Sequence, residues 1–362
     1  MSVSTKVAII VGTRPEIIKM APLVRACAER GIPHLLLHTG QHYSYEMDGV
    51  FFEELGLPQP HTNLAVGSGS QAYQVGAIVT GITPIFEREK PDWVLVEGDT
   101  NSVLAAGLAA HKLGCRVGHV EAGLRSYDRT MPEEMNRILT DHLSDHLYAP
   151  TETSRKILRG EGVGEERIFV TGNTVVDELM LQRARAESRG APARFEVTPR
   201  RYALATVHRA ENTNDPVRLR AIVDGLSAAA AATKLDVLAA VHPRTTQRMG
   251  ELGMAWGAGV RALPPLPYLD FLGLHAQAAL TLSDSGGLQE EACCLGVPCV
   301  TLRDNTERPE SVDVGANVLV GADAARIVEG ARTMLERRNG WPNPFGDGRA
   351  AHHILDALLA AR

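Results

Sequence analysis

The chain lacks several features that would each point to a particular function. No two of its five cysteines (Cys27, Cys115, Cys293, Cys294 and Cys299) stand at C-x-x-C spacing. This argues against a thiol redox pair or a cysteine zinc site and fits reduced core residues of a cytoplasmic protein. No apolar run approaches the ~18 residues of a transmembrane helix. The short run near the start is interrupted by Gly12 and Arg14, so Val7–Val11 is expected as a first strand and not as a signal peptide. There is no G-x-x-x-x-G-K-[ST] phosphate loop. Positive charge is not in excess: 37 Lys and Arg stand against 43 Asp and Glu, for a net charge of −6. That balance argues against a partner such as nucleic acid or an anionic membrane, so any anionic ligand must be met by local basic residues.

What is present is an ordinary globular composition, 44% apolar and 22% charged, over 362 residues. That length suits about two domains of ~150 residues. Short continuous apolar runs alternate with helical patterns. Strands are expected at Val7–Val11, His34–His38, Trp93–Val96, Arg116–Val120, His146–Ala149 and Arg167–Val170. Helices are expected from Pro15, over Glu46–Leu55 and over Gln71–Glu89. After a polar, breaker-rich linker at Ser188–Pro192 the alternation restarts with Tyr202–Val207, Asp236–Val241, Val260–Leu263, Ala279–Leu282 and Cys299–Leu302. Ala228–Ala232 reads as helix interior, and His352–Leu359 as a final helix. Apolar strands without alternation mean parallel sheets covered on both faces. The expected fold is therefore α/β, with two doubly wound Rossmann-like domains facing across a cleft. The first would span 1–171 and the second 172–348.

Chemistry-bearing residues gather where elements end, which is where an open α/β sheet places its ligand. Glu97-Gly98-Asp99 follows one strand, Glu121-Ala122-Gly123 the next, and Met131-Pro132-Glu133-Glu134 opens a helix. Carboxylates there add nothing to a core and suit proton transfer. Gly12-Thr13-Arg14-Pro15 at a helix start suits an anion, with Lys19 one turn on. Asp284-Ser285-Gly286-Gly287 runs from a strand into a helix; its glycines and free N–H groups suit a diphosphate, and Glu291 a ribose. Glu290 reads as a solvated helix residue. His208, flanked by Arg209, Glu211 and Asn212, and His242-Pro243-Arg244 stand at two further strand ends.

Two other patterns carry less. Gly67-Ser68-Gly69-Ser70-Gln71-Ala72 imitates a dinucleotide fingerprint, but no convincing strand feeds it and the residue ~20 positions on falls inside a helix. His142 and His146 with Asp141 and Asp145 lack a third ligand and a glutamate, so they read as a polar helix edge. No metal is expected.

The motifs GTRPEIIKMAPL (12–23), TGQH (39–42), EGDTNSVLAA (97–106), GHVEAGLRS (118–126), MPEEMNR (131–137), APTETS (149–154), VTGNTVVDEL (170–179), TVHRAEN (206–212), HPRT (242–245), SDSGGLQEEA (283–292) and RDNTERPE (303–310) stand in order along nearly the whole chain. Together they resemble the non-hydrolysing UDP-N-acetylglucosamine 2-epimerases, closest to the archaeal-type branch. The resemblance implies the GT-B-type fold, with the last helix in 349–362 crossing back onto the first domain, and no metal or nicotinamide cofactor. It also implies reversible conversion of UDP-GlcNAc to UDP-ManNAc through elimination of UDP, supplying ManNAc-type sugars for surface polysaccharide. A cytoplasmic homodimer without nucleic-acid or membrane partners follows in the same way. By resemblance Asp99, Glu121, Glu133 and His208 are catalytic. Arg14, Lys19, Arg137, His242, Ser285, Gly286 and Gly287 would hold the nucleotide, Glu291 the ribose, and Phe271 would lie near the uracil. Glu97 and Glu134 read as support or branch-specific variation.

The chain departs from many bacterial members at Glu97, where they carry His, and at Gln41–Met47, which contributes to an allosteric site in them. Four rivals share the fold, the chemistry or the ligand: an epimerase of UDP-2,3-diacetamido-glucuronate, a hydrolysing epimerase, a glycosyltransferase, and a nucleotide-sugar-binding regulator without turnover, against which the intact acids argue.

Overall fold

The computed structural model describes residues 5–41, 45–264, 266–337 and 340–361. The chain forms two α/β units. The first runs to Met180 and takes up the chain again from Phe345; the second is Leu181–Pro344.

The first unit contains β1 (Val7–Val11), α1 (Arg14–Glu29), β2 (His34–His38), α2 (Tyr45–Glu54), β3 (Thr62–Asn63), α3 (Gln71–Glu89), β4 (Trp93–Glu97), α4 (Asn101–Lys112) and β5 (Arg116–Val120). It continues with α5 (Pro132–Leu143), β6 (His146–Ala149), α6 (Glu152–Gly160), β7 (Ile168–Val170) and the start of α7 (Thr174–Ser188). Its seven strands are parallel, in the order β3-β2-β1-β4-β5-β6-β7. All five residues of β1 and of β4 are buried. A five-residue apolar run can be buried on both faces only where helices cover both sides of the sheet. α3 and α4 supply one cover, with Ile82, Ile85, Phe86, Val103 and Ala106 packed on Ala8, Ile10, Val94 and Val96.

The second unit follows with α8 (Ala191–Arg194), β8 (Tyr202–Thr206), α9 (Ala210–Thr213), α10 (Pro216–Thr233), β9 (Asp236–Ala240), α11 (Pro243–Glu251), β10 (Val260–Leu263) and α12 (Tyr268–Ala276). Then come β11 (Leu280–Ser283), α13 (Gly286–Leu295), β12 (Cys299–Thr301), α14 (Pro309–Asp313), β13 (Asn317–Leu319) and α15 (Ala324–Glu336). Its six parallel strands run β10-β9-β8-β11-β12-β13. Leu219, Ile222, Val223 and Leu226 of α10 and Ile327, Ala331 and Met334 of α15 close the core over Leu280, Leu282 and Val300. Each such aliphatic side chain contributes about 1.5–3 kcal/mol on full burial.

In both sheets the winding reverses beside the first strand, at β1/β4 and at β8/β11. Ligands of doubly wound sheets collect at the carboxyl ends of strands at this reversal. Glu97-Gly98-Asp99 stands at the end of β4 and the Ser-Gly-Gly motif follows β11, while Glu121 follows β5, the neighbour of β4.

Several elements differ from the sequence-based expectation. β4 includes Glu97, because register with Val120 continues one residue further. Arg167 ends a 3-10 turn and does not begin β7. The expected linker is partly structured: Ala191 and Pro192 are buried in α8, which packs on α12, while Arg189 and Arg194 reach Asp270. β3 and β13 are two and three residues long, too short for a periodicity to register.

The chain ends in α16 (Ala350–Ala360), which packs on α1 of the first unit. No side chain of its own caps it. Asp177 of α7 instead accepts from the N–H groups of Ala350 and Ala351 at 3.0 and 2.9 Å. Loss of a helix cap costs about 1–2 kcal/mol. The variant Asp177→Ala is therefore expected to loosen α16, seen as faster amide hydrogen exchange over residues 350–360. Unchanged exchange there would show that packing on α1 alone holds the helix.

Candidate active site

The first unit's site is built around β1, β4 and β5. The β1–α1 turn passes close to α4: a Cβ on Gly12 would meet Ser102 Oγ at 2.1 Å and Thr39 Oγ1 at 2.3 Å, so only glycine fits. The turn delivers Glu16 and Lys19 to the strand ends. Glu16 accepts from the N–H groups of Gly12 and Thr13 and from the Thr100 hydroxyl, at 2.5, 3.1 and 2.5 Å. Burial dominates its environment and lifts its carboxyl from 4.5 to about 7, with Asp99 nearby adding to the rise and the hydrogen bonds opposing it.

Lys19 Nζ lies 2.9 Å from Glu97 Oε1 and also pairs with Glu121. Both carboxylates are buried. Burial pushes Glu97 well above the ordinary carboxylate range; Lys19 opposes this and Glu121 adds to it. Glu121 also accepts from Asn173 Nδ2 at 3.0 Å. Its backbone has φ +66°, left-handed and costly for a residue with a side chain, at about 1–3 kcal/mol. Strain of that size persists where surrounding contacts over-determine it, here Lys19 and Asn173.

α5 presents a polar inner face in Glu134, Asn136, Arg137, Thr140 and Asp141, all buried. Arg137 bridges Asp99 at 2.5 Å and Glu134 at 3.1 Å. Asn136 donates to the Asp99 carbonyl at 2.9 Å. Glu134 also accepts from Ser126 N and Oγ and from Tyr127 N, at 2.8–2.9 Å, and so fixes the loop ahead of α5. Glu133, its neighbour, is half-buried and makes no hydrogen bond or ion pair among the described residues. The Arg14 guanidinium lies 5.2 Å from the centre of the Phe51 ring.

The second unit's site is built on β8 and β11. Register between Thr206 and Ser283 sets His208 beside Asp284. The imidazole Nδ1 is 3.0 Å from Asp284 Oδ1. Asp284 is buried and also accepts from the N–H groups of His208 and Arg209 and from Asn212 Nδ2, at 3.0–3.1 Å. Burial pushes Asp284 up, but His208 and these donors outweigh it and hold the carboxyl below the usual range. With Nδ1 committed to the carboxylate, Nε2 is the ring atom left to meet a ligand.

Ser285 caps α13, and its hydroxyl makes no hydrogen bond among the described residues. Glu290 is buried against Arg308 at 3.2 Å, not solvated as expected. Arg308 in turn pairs with Glu307, which binds the fully buried Arg303. This lattice presses on the start of α13. Glu291 lies 3.5 Å from His275, and Phe271 stacks obliquely on His275 at 5.9 Å. His242 caps α11 by accepting from Arg244 N at 3.1 Å.

The structure thus gathers Glu97 and Glu121 on Lys19, and Asp99 and Glu134 on Arg137. Lys19 and Arg137, expected from the resemblance at the nucleotide, are each engaged by two carboxylates. In the second unit it brings His208 to the strand that leads to Ser285–Gly287. Sequence reasoning assigns no role to Asn173, Asp284, His119 or Arg308. Only Asp284 carries a readable signal, a carboxylate at a strand end just before the glycines. The Asp141 group is not a polar helix edge. His142 lies on α5, whereas His146 is on β6, stacked between Trp93 and Phe169 and pushed by burial down to about 4. Asp141 is fully buried against His119 and Arg125. The Gln41–Met47 segment falls largely outside the described residues and side chains.

A family model described as UDP-N-acetylglucosamine 2-epimerase matches residues 25–359. The chain belongs to the UDP-N-acetylglucosamine 2-epimerase family. It is 47% identical to the Methanocaldococcus jannaschii UDP-N-acetylglucosamine 2-epimerase over 98% of both chains. A crystal structure of that epimerase in complex with UDP-GlcNAc and UDP superposes with a TM-score of 0.93, covering 98% of this chain and 99% of the other. The UDP-2,3-diacetamido-2,3-dideoxy-D-glucuronate 2-epimerase of Pseudomonas aeruginosa is 41% identical, over 98% of this chain and 99% of the other. The family fold is of the GT-B type, with two doubly wound parallel-sheet units as observed here.

Two outcomes follow for this epimerase-family site. A Cβ on Gly286 would come within 2.6 Å of Arg308 Nη1, and that guanidinium is fixed by Glu290 and Glu307, whereas a Cβ on Gly287 meets nothing within 4 Å. Gly286→Ala should therefore cost about 1–3 kcal/mol in thermal unfolding and Gly287→Ala far less; equal effects would show that Arg308 yields. Glu16 has a raised folded value, so its contribution to stability is complete below pH 4.5 and is lost as pH rises through about 7. Relative to Glu16→Gln, the native chain should lose on the order of 3 kcal/mol between pH 4.5 and pH 7. A difference that stays flat across that window, measured by denaturant unfolding, would contradict the buried-acid account.

Proposed function

We propose that this chain interconverts UDP-GlcNAc and UDP-ManNAc by inverting C2 of the sugar. The observation that carries the reading is the set of carboxylates gathered on Lys19 and Arg137, joined to full-length likeness to epimerases of that name. C2 of an N-acetylhexosamine is not next to a carbonyl, so its proton is scarcely acidic and direct inversion is too slow. In the proposed route a base takes the C2 proton as the C1–O bond to UDP breaks, leaving 2-acetamidoglucal and UDP. A proton then returns to the opposite face of C2, and a diphosphate oxygen re-forms the bond to C1. No hydride moves, so the route calls for acids, bases and a diphosphate clamp.

Asp99, Glu121 and Glu133 are assigned the proton transfers. His208, oriented by Asp284, acts near the diphosphate. Arg14, His242, Ser285, Gly286 and Gly287 are assigned to the nucleotide, Glu291 to the ribose and Phe271 to the uracil. Lys19 and Arg137 carry a second task beside the nucleotide, holding the acids in place. That task also favours an uncharged sugar. A glucuronate carboxylate would add negative charge where Lys19 already meets Glu97 and Glu121, and Arg137 meets Asp99 and Glu134. A cytoplasmic homodimer is proposed with this activity on the family resemblance; light scattering at twice the chain mass would support the dimer.

Asp99→Asn and Glu121→Gln are each expected to slow conversion of UDP-GlcNAc by about 10²–10⁴-fold, followed by chromatographic separation of the two nucleotide sugars. Near-native turnover in either variant removes that residue from the chemistry. Free ManNAc in place of UDP-ManNAc would assign the hydrolysing reaction.

A further inference from the structure

His119 on β5 is fully buried and faces two acceptors. Its Nδ1 is 2.7 Å from Asp141 Oδ1, and its Nε2 is 2.8 Å from the carbonyl of Gly98. A carbonyl oxygen can only accept, and so can an ionised carboxylate. The ring must therefore donate from both nitrogens, which only a doubly protonated imidazole does. The surrounding charges agree. Asp141 reaches out from α5 and also pairs with Arg125 at 2.7 Å, and Arg125 pairs with Glu161 at 2.6 Å. Burial would raise the Asp141 carboxyl, and the Arg125 guanidinium, which does not depend on the state of the ring, opposes it and favours the ionised form.

The second Asp141 oxygen accepts from Gly123 N at 3.2 Å. Gly98 sits between Glu97 and Asp99; Gly123 lies two residues after Glu121. One carboxylate and one ring thus fasten both loops that carry the site's carboxylates. They do so from beneath, while Lys19 and Arg137 hold the side chains themselves.

We infer that His119 and Asp141 are positioning residues for the proton-transfer step, a buried pin that sets the backbone of Gly98 and Gly123 and through them Asp99 and Glu121. This rests on the epimerase reading above. Neither residue reaches substrate in the scheme; both act through the loops. A misplacement of about 1 Å in a catalytic group from a distant change can cost on the order of 100-fold in rate. Because the pin touches neither the ribose nor the diphosphate residues, the loss belongs in kcat.

The test uses the full chain and the variants His119→Gln and Asp141→Asn. A Gln side chain can keep one of the two bonds but not both. The expected result is kcat lowered on the order of 100-fold, with KM for UDP-GlcNAc and the affinity for UDP within about twofold of native. A fall in kcat of less than about threefold in variants that bind UDP normally would overturn the assignment. So would a parallel loss of kcat, KM and UDP affinity, the mark of a general structural defect. A second readout is independent of activity. Nitrogen-15 spectra of the native imidazole rings at neutral pH should show one ring with both nitrogens protonated, absent from His119→Gln. A neutral His119 ring would overturn the pin even if the kinetics agreed. If the native chain makes no UDP-ManNAc, the functional reading fails on that count, and the spectrum still decides the pin.

Discussion

The first unit's site depends on a single ammonium group. Lys19, one turn into α1, joins the end of β4 to the end of β5 by charge, through Glu97 and Glu121. Two buried carboxylates so close would repel each other without it. Burial lifts Glu97 even with Lys19 in place, so losing the ammonium would favour its protonated form further, and the strained backbone at Glu121 would lose a restraint. Removing one partner of a buried ion pair typically costs about 3–5 kcal/mol, far more than the pair contributes over an apolar substitute. Lys19 therefore makes a charged cluster affordable at the one place in the sheet where a ligand is expected.

The same design recurs with other residues in the second unit. There the buried carboxylate is Asp284, and the compensating donors are the N–H groups of His208 and Arg209, the Asn212 amide and the imidazole. In both units the winding reversal leaves the carboxyl ends of two adjacent strands uncovered by any crossover. Polar groups collect there because backbone and side-chain donors are already aimed at the gap. The apolar residues that stabilise the fold lie along the strands, and those that would do chemistry lie just past their ends.

This division explains what could be read from the chain before the fold was known. The strands and α3 are legible because continuous apolar runs and helical spacing depend on near neighbours in sequence. The candidate acids at 97–99, 121 and 133–134 are legible because carboxylates at strand and helix ends have no architectural reason to be there. Their partners are not legible. Lys19 is 78 residues from Glu97, and Asp284 is 76 from His208, and nothing local states that they meet. Glu290 and Asp141 are misjudged for the same reason: each looks solvated on its own helix and is buried only because Arg308, or His119 and Arg125, arrive from elsewhere. The inner face of α5 inverts the usual pattern, with its charged residues facing inward, so periodicity alone points the wrong way.

The account's central claim is that C2 loses and regains a proton while UDP leaves and returns. The most direct measurement incubates the protein with UDP-GlcNAc in D₂O, without metal or nicotinamide, and follows C2 by NMR. Deuterium appearing at C2 as UDP-ManNAc forms is the predicted result. UDP-ManNAc that retains the original C2 hydrogen would contradict it.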